Sequence, residues 1–150
     1  MTALSWRVFS EQAPEIAEFG LSRIDGKVCY LATIRENDLP RIHPVTALVG
    51  DGRCFIFAQP DSSKVRDFQG NSRFNLHCSM SDSSGSSGEF QFSGSAVLNE
   101  EKADRALAES ICSYRPSGSF LLFELRVSEA TSNCFRGGRP HRKKWRATKF

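Results

Sequence analysis

Pro40-Arg41-Ile42-His43-Pro44-Val45-Thr46, Gly50-Asp51-Gly52, Arg53-Cys54-Phe55-Ile56-Phe57-Ala58-Gln59 and Pro60-Asp61-Ser62-Ser63-Lys64-Val65 together decide the fold. Arg41 to Val49 and Arg53 to Gln59 are apolar, β-branched and aromatic runs of strand length, and the Gly50-Asp51-Gly52 triplet between them is a tight turn. Pro60-Asp61-Ser62-Ser63 then opens a short helix that runs to about Gln69 and stops at Gly70-Asn71. Strand, turn, strand and helix start follow one another with almost no connecting chain.

Working backwards, Lys27 to Arg35 is a further strand, with Tyr30, Ala32 and Ile34 on one face and Cys29, Leu31 and Thr33 on the other. Glu36-Asn37-Asp38 turns it into the second strand. A helix from about Gln12 to Ile24 precedes it, carrying Ile16, Phe19 or Gly20, and Arg23 or Ile24 at helical spacing and ending at Asp25-Gly26. Working forwards, Arg73 to Met80 and Glu89 to Leu98 are strands, separated by a Ser-, Asp- and Gly-rich loop from Ser81 to Gly88 with nothing to pack. Asn99 is a suitable N-cap for a helix whose stripe is Ala103, Leu107, Ile111 and Tyr114, closed by Arg115-Pro116-Ser117-Gly118. Ser119 to Glu129 is a sixth strand. A short strand and a basic tail around Trp145 follow.

The expected class is mainly β (α+β): six to seven antiparallel strands in a small closed or nearly closed barrel, with two or three flanking helices. A chain of 150 residues is one domain's worth, with a core over about 12–130 and a tail over 131–150. The first three strands are apolar on both faces and few helices exist to cover the outer one. A second copy of the chain would cover it, so a homodimer is expected.

Composition narrows the function classes. Of 20 Lys and Arg, seven lie in the last fifteen residues, where no acid occurs. The remainder carries 13 bases against 17 acids, so the body is mildly acidic. A basic tail without interleaved aromatics beyond Trp145 and Phe150 argues against nucleic acid as the partner. No apolar run approaches the roughly 18 residues of a membrane helix, and the N-terminus lacks the pattern of a signal peptide. Five cysteines, an odd number without Cys-x-x-Cys spacing, point to free thiols, no zinc site and a cytoplasmic location. Three scattered histidines make no metal site, and the nucleotide, zinc-protease and serine-hydrolase signatures are absent.

What remains is the helix start. Helix N-termini present free N–H groups and partial positive charge, and here two hydroxyls, Ser62 and Ser63, and the Lys64 ammonium stand beside them. Arg41, on an earlier strand, adds a forked donor. The pattern suits a phosphate, and Asp-Ser-Ser is equally ordinary capping chemistry.

The order Tyr30-Leu31-Ala32-Thr33, Pro40 to Val45, Asp51 to Phe57, Ser62 to Phe68 and Asn71-Ser72-Arg73-Phe74 resembles the pyridoxamine 5′-phosphate oxidase-like flavin-binding split barrels. The resemblance covers roughly 12–130 in element order and reaches motif level over about 28–80. It implies a dimeric split β-barrel with FMN, or alternatively a deazaflavin, at the subunit interface. By the same resemblance Arg41, Ser62 and Lys64 hold the phosphate, beside the Ser63 hydroxyl read from the helix start, Pro44, Val45 and Thr46 lie against the ring system, and Phe57, Ala58 and Gln59 line the ribityl and phosphate side. His43 is a structural or rim residue of this site rather than a catalytic one, and Trp145 either caps the flavin or anchors the tail. Ala58 and Ser63 stand where the oxidase itself carries Thr and Arg, which points away from vitamin B6 oxidation. The implied activity is an oxidoreductase of undefined small-molecule substrate, with a deazaflavin-dependent reductase or a non-enzymatic flavin- or haem-binding protein as alternatives. Flavin carries the redox chemistry itself, so no catalytic side chain is assigned.

Overall fold

The computed structural model describes residues 2–148; Met1, Lys149 of the basic tail and Phe150 lie outside the described residues. Twelve elements follow one another: α1 (Trp6–Gln12), α2 (Pro14–Ile24), β1 (Val28–Ile34), β2 (Pro40–Thr46), β3 (Leu48–Gly50), β4 (Arg53–Ala58), α3 (Ser63–Gly70), β5 (Arg73–Cys78), β6 (Glu89–Leu98), α4 (Lys102–Ile111), β7 (Leu121–Arg136) and β8 (Arg139–Arg146). All eight strands join one antiparallel sheet in the order β2-β1-β5-β6-β7-β4-β3, with β8 added on β7.

The two ends of that order, β2 and β3, are consecutive in the chain. Only Ala47 separates them, fully buried, with its carbonyl accepting from Gly26 N at 2.8 Å. The sheet therefore closes through a covalent corner rather than a final ladder of hydrogen bonds, which makes a split barrel. Inward residues alternate along the strands: Cys29 and Leu31, Phe74, Leu76 and Cys78, Phe90 and Phe92, Leu125 and Val127 are all buried. Trp6 and Phe9 of α1 plug one end, with Trp6 edge-on to Phe9 at 5.0 Å and to Phe92 at 5.5 Å.

The mainly β class holds, with eight strands and four helices among the described residues rather than six to seven and two or three. The additional helix is α1, whose start is capped by Ser5 Oγ accepting from Val8 N at 3.2 Å. The last strand runs on to Arg136, and the expected tail is β8, turned back by Gly137 and Gly138 at φ 57° and 76°. Asn99 is not the N-cap of α4; that is Glu101, whose N–H donates to Asn99 Oδ1 at 2.9 Å. The outer face of β4 is not bare either, because Phe55 and Phe57 pack beneath α4 with Ala108 and Leu122. The bare apolar surface is the outer face of β1 and β2, where Val28, Tyr30 and Ile42 are 50%, 47% and 69% exposed. The serine-rich loop is tied to Asp82, which accepts from Ser86 Oγ, Ser87 N and Ser87 Oγ at 2.9–3.0 Å.

Candidate functional site

Strand alternation places Arg41, His43 and Val45 on one face of β2 and Ile42, Pro44 and Thr46 on the other. The first set faces the interior, where α3 lies against β1. Register pairs Arg41 with Thr33 and His43 with Leu31 on β1. Asp67, one helical turn beyond Lys64, points inward from α3 and is buried. Sequence reasoning gave neither it nor Thr33 a role, because 34 positions separate them and only the fold brings them together.

The four side chains form one connected network. Thr33 Oγ1 donates to Asp67 Oδ2 at 2.6 Å, and Arg41 Nε donates to the same oxygen at 3.0 Å. Thr33 has a single proton and gives it to Asp67, so at 2.9 Å its oxygen accepts from His43 Nε2. That fixes the tautomer: neutral His43 carries its proton on Nε2 and leaves Nδ1 as an acceptor. Burial holds the His43 pKa below the usual imidazole value, and the Lys64 ammonium pushes it the same way against the opposing pull of Asp67. His43 is therefore neutral at pH 7.

The helix start is built differently from an ordinary cap. Ser62 occupies the N-cap position of α3 in extended conformation, yet its hydroxyl makes no capping hydrogen bond. Ser62 Oγ is buried and has no hydrogen-bond partner among the described residues. Lys64 is half-buried, burial alone lowers its pKa, and it makes no ion pair among the described residues. A buried orphan hydroxyl and a desolvated, unpaired ammonium at a helix N-terminus are complementary to a phosphate, which would satisfy all three deficits together. The residues present fit the phosphate end of a flavin mononucleotide.

Other expected site residues lie elsewhere. Arg41, His43, Ser62, Ser63 and Lys64 belong to one region, and Ala58 is buried in the adjoining main core. Phe57 belongs to the cluster under α4, with the Arg105 guanidinium 5.4 Å from its ring centre. Gln59 is exposed at the end of β4, and Pro44 and Thr46 face outward beside Tyr30 and Val28. Trp145 packs on Phe9 at 5.0 Å and donates from Nε1 to Gln12 at 3.2 Å, fastening β8 to α1. Among the described residues no group of three His, Cys, Asp or Glu side chains is placed to hold a metal ion.

Solved structures with the same architecture carry the comparison further. A haem binding protein from Mycobacterium smegmatis matches over 84% of this chain and 55% of its own, at 18% identity and a TM-score of 0.67. A NimC/NimA family protein from Clostridium acetobutylicum matches over 89% and 93%, at 16% identity and a TM-score of 0.64. A pyridoxamine 5′-phosphate oxidase candidate from Listeria innocua matches over 77% and 95%, again at 16% and 0.64. The fold is the pyridoxamine 5′-phosphate oxidase-like split barrel. No family model matches the chain, and no curated protein matches it in sequence. At these identities the split barrel is what the neighbours share with this chain, and its chemistry rests on its own residues. The chain spans little more than half the length of the mycobacterial protein and nearly all of the other two.

Proposed function

We propose that this split barrel binds FMN and acts, as a homodimer in the cytoplasm, as a flavin oxidoreductase on a small molecule. The observation that carries the reading is the start of α3, where among the described residues buried Ser62 Oγ lacks a partner and half-buried Lys64 lacks a counter-ion. A flavin supplies the electron chemistry when bound. The chain's task is to anchor it, and Ser62, Ser63 and Lys64, with Arg41 held by Asp67, are the anchoring groups. Two further observations support the assembly and the compartment. The exposed apolar strip of Val28, Tyr30 and Ile42 suits burial against a second copy. All five cysteines are free, three of them buried, and no helix among the described residues is long and apolar enough to cross a membrane.

The absorbance spectrum of the protein as purified is the first test, with flavin bands expected. A deazaflavin spectrum would keep the phosphate site and change the cofactor. A Soret band would transfer the reading to haem, which is what the mycobacterial neighbour's name states for that protein. Titration then separates the phosphate site from the rest: FMN should bind at least tenfold more tightly than riboflavin, and equal affinities would overturn the placement. Light scattering should give twice the 16.7 kDa chain mass, and a monomer would remove the dimer from the proposal.

A further inference from the structure

Cys29 and Cys78 are direct partners across the β1–β5 ladder. Both side chains point into the barrel, where they are 0% and 1% exposed, and both are free thiols. Residues directly opposed in an antiparallel pair stand about 4.5–5.5 Å apart between Cα atoms, inside the roughly 4.4–6.8 Å that a disulfide spans. The ladder therefore already holds the two residues at bonding separation.

The two thiols are unlike. Cys78 closes β5, and the β5–β6 ladder ends one residue earlier, at His77 and Gln91. Just past that end the Phe90 N–H donates to Cys78 Sγ at 3.3 Å, a hydrogen bond that favours negative charge on the sulfur. His77 supplies a cation beside it. Its Nδ1 donates to the Cys78 carbonyl at 2.6 Å and its Nε2 lies 3.5 Å from Glu89 Oε2, so both ring nitrogens face acceptors. The Cys78 side chain and carbonyl, with Glu89, raise the His77 pKa to about 9 against the effect of burial, and the ring is charged at pH 7. Burial pushes the Cys78 thiol up, but His77, the Phe90 N–H and the Arg23 charge outweigh it and bring its pKa below the ordinary thiol value. Cys29 is set the other way. Its Sγ lies 3.5 Å from the Lys27 carbonyl and 3.9 Å from that of Ile24, and burial, with Cys78 beside it, lifts its pKa to about 12.

The pair also lies at an end of the sheet. Cys78 is the last residue of β5 and Cys29 the second of β1, and beyond Cys78 the chain leaves through Ser79 and Met80, both exposed. Strand ends open locally at little cost, which admits a small solute to a sulfur that the closed barrel shields.

We propose that Cys78 is the site at which a hydroperoxide oxidises this chain, and that Cys29 resolves the product as a Cys29–Cys78 disulfide. The Cys78 sulfur attacks the terminal oxygen of the hydroperoxide, the O–O bond breaks, and the departing oxyanion takes up a proton, leaving Cys78 as a sulfenic acid. The Cys29 sulfur then attacks the Cys78 sulfur, the S–O bond breaks, and hydroxide leaves with the Cys29 proton as water. Two electrons pass from the dithiol to the peroxide. Exchange with a small-molecule dithiol, itself oxidised to its disulfide, restores the pair. The assignment is independent of the flavin reading.

Treatment of the reduced full chain with hydrogen peroxide tests it. The intact mass should fall by two hydrogens, the five thiols counted after denaturation should fall to three, and a non-reducing peptide map should join the Cys29 and Cys78 peptides. The map is read on the wild-type chain, so it needs no variant to fold. Cys29→Ala should block the bond and leave Cys78 as a sulfenic acid that dimedone captures. Cys78→Ala should slow thiol loss by about tenfold or more. Cys112→Ala with Cys134→Ala, at the two half-buried cysteines, should change neither the bond nor its rate. Five thiols intact after exposure, a bond through Cys54, Cys112 or Cys134, or Cys78 carried on to sulfinic acid while Cys29 stays free would each overturn the proposal.

Discussion

Replacing Asp67 by alanine removes the carboxylate on which β1, β2 and α3 converge. Asp67 is 6% exposed, accepts from Thr33 at 2.6 Å and Arg41 at 3.0 Å, and lies 4.0 Å from His43 Nε2. Its loss removes the acceptor of the Thr33 hydroxyl, on a residue only 1% exposed, which is then satisfied only if the His43 proton moves from Nε2 to Nδ1. An orphaned buried hydroxyl costs about 1–3 kcal/mol. Removing one partner of a buried ion pair costs about 3–5 kcal/mol, and water reaching the Arg41 side chain, 29% exposed, reduces that share. A total of about 3–5 kcal/mol follows, or a fall in Tm of about 6–20 °C at the roughly 2–4 °C per kcal/mol expected for this chain length. Differential scanning calorimetry reads it directly, and Thr33→Val completes a double-mutant cycle. With Thr33 already apolar, Asp67→Ala should cost less than it does alone, with a coupling of about 0.5–3 kcal/mol. A Tm within a degree of wild type, or strict additivity in the cycle, would refute the network as the device that locks α3 to the barrel.

Lys64→Ala should weaken FMN binding by about ten- to a hundredfold and leave riboflavin unchanged, since the loss is one charge-assisted hydrogen bond to phosphate; equal losses for both ligands would mean that Lys64 acts through the fold. Burial, the Lys64 ammonium and Arg41 depress the His43 pKa in the folded chain, so His43 favours the fold above its unfolded value of about 6.5 and opposes it as pH falls through the lower folded value. Tm should therefore decline with acid below about pH 6.5, and the His43→Gln profile should be flatter there by at most about 1.4 kcal/mol per pH unit; parallel profiles would contradict it. Gly94→Ala puts a Cβ 1.6 Å from the Arg126 carbonyl oxygen, at the register shift where β6 meets β7. Backbone must move, so a loss of about 3 kcal/mol or failure to fold is expected in thermal melts, and a near-wild-type Tm would show the shift to be plastic.

Strands were legible wherever both local chemistry and period agreed. The β1–β2 turn is marked by Asn37-Asp38 and the β3–β4 turn by Gly50-Asp51-Gly52, and Asp38, Asp51 and Gly52 do adopt positive φ. α1 escaped because seven residues show barely two turns of periodicity, although Ser5 before Trp6 and the Trp6/Phe9 spacing were available signals. The bounds of β8 could not be read within the expected short strand and basic tail for the opposite reason: seven of its eight residues are exposed, so no alternation marks it, and the Gly137-Gly138 turn was its one visible cue. At the site, the proposed anchoring groups Ser62, Ser63 and Lys64 could be read from a helix start, since capping chemistry is local. The Thr33–Asp67–Arg41–His43 network could not, because it exists only once β1, β2 and α3 are brought together. Trp145 shows the same limit, since its two readings differ only in which distant element it meets.

β7 is 16 residues long and hydrogen-bonds to three strands: β4 along its first residues, β6 through its middle and β8 along its last. Its lateness in the chain sets the order of events at the ribosome. β4 leaves the exit tunnel with β3 but without β7 and waits for roughly 60 more residues, about 3–12 s at synthesis rates of about 5–20 residues per second. Until then Phe55, Ile56 and Phe57 form an apolar strand with one edge unpaired, neither under α4 nor beside Leu122 and Phe123. Chaperone capture and misassembly during translation are accordingly expected at β4, a segment that is fully shielded once the barrel has closed.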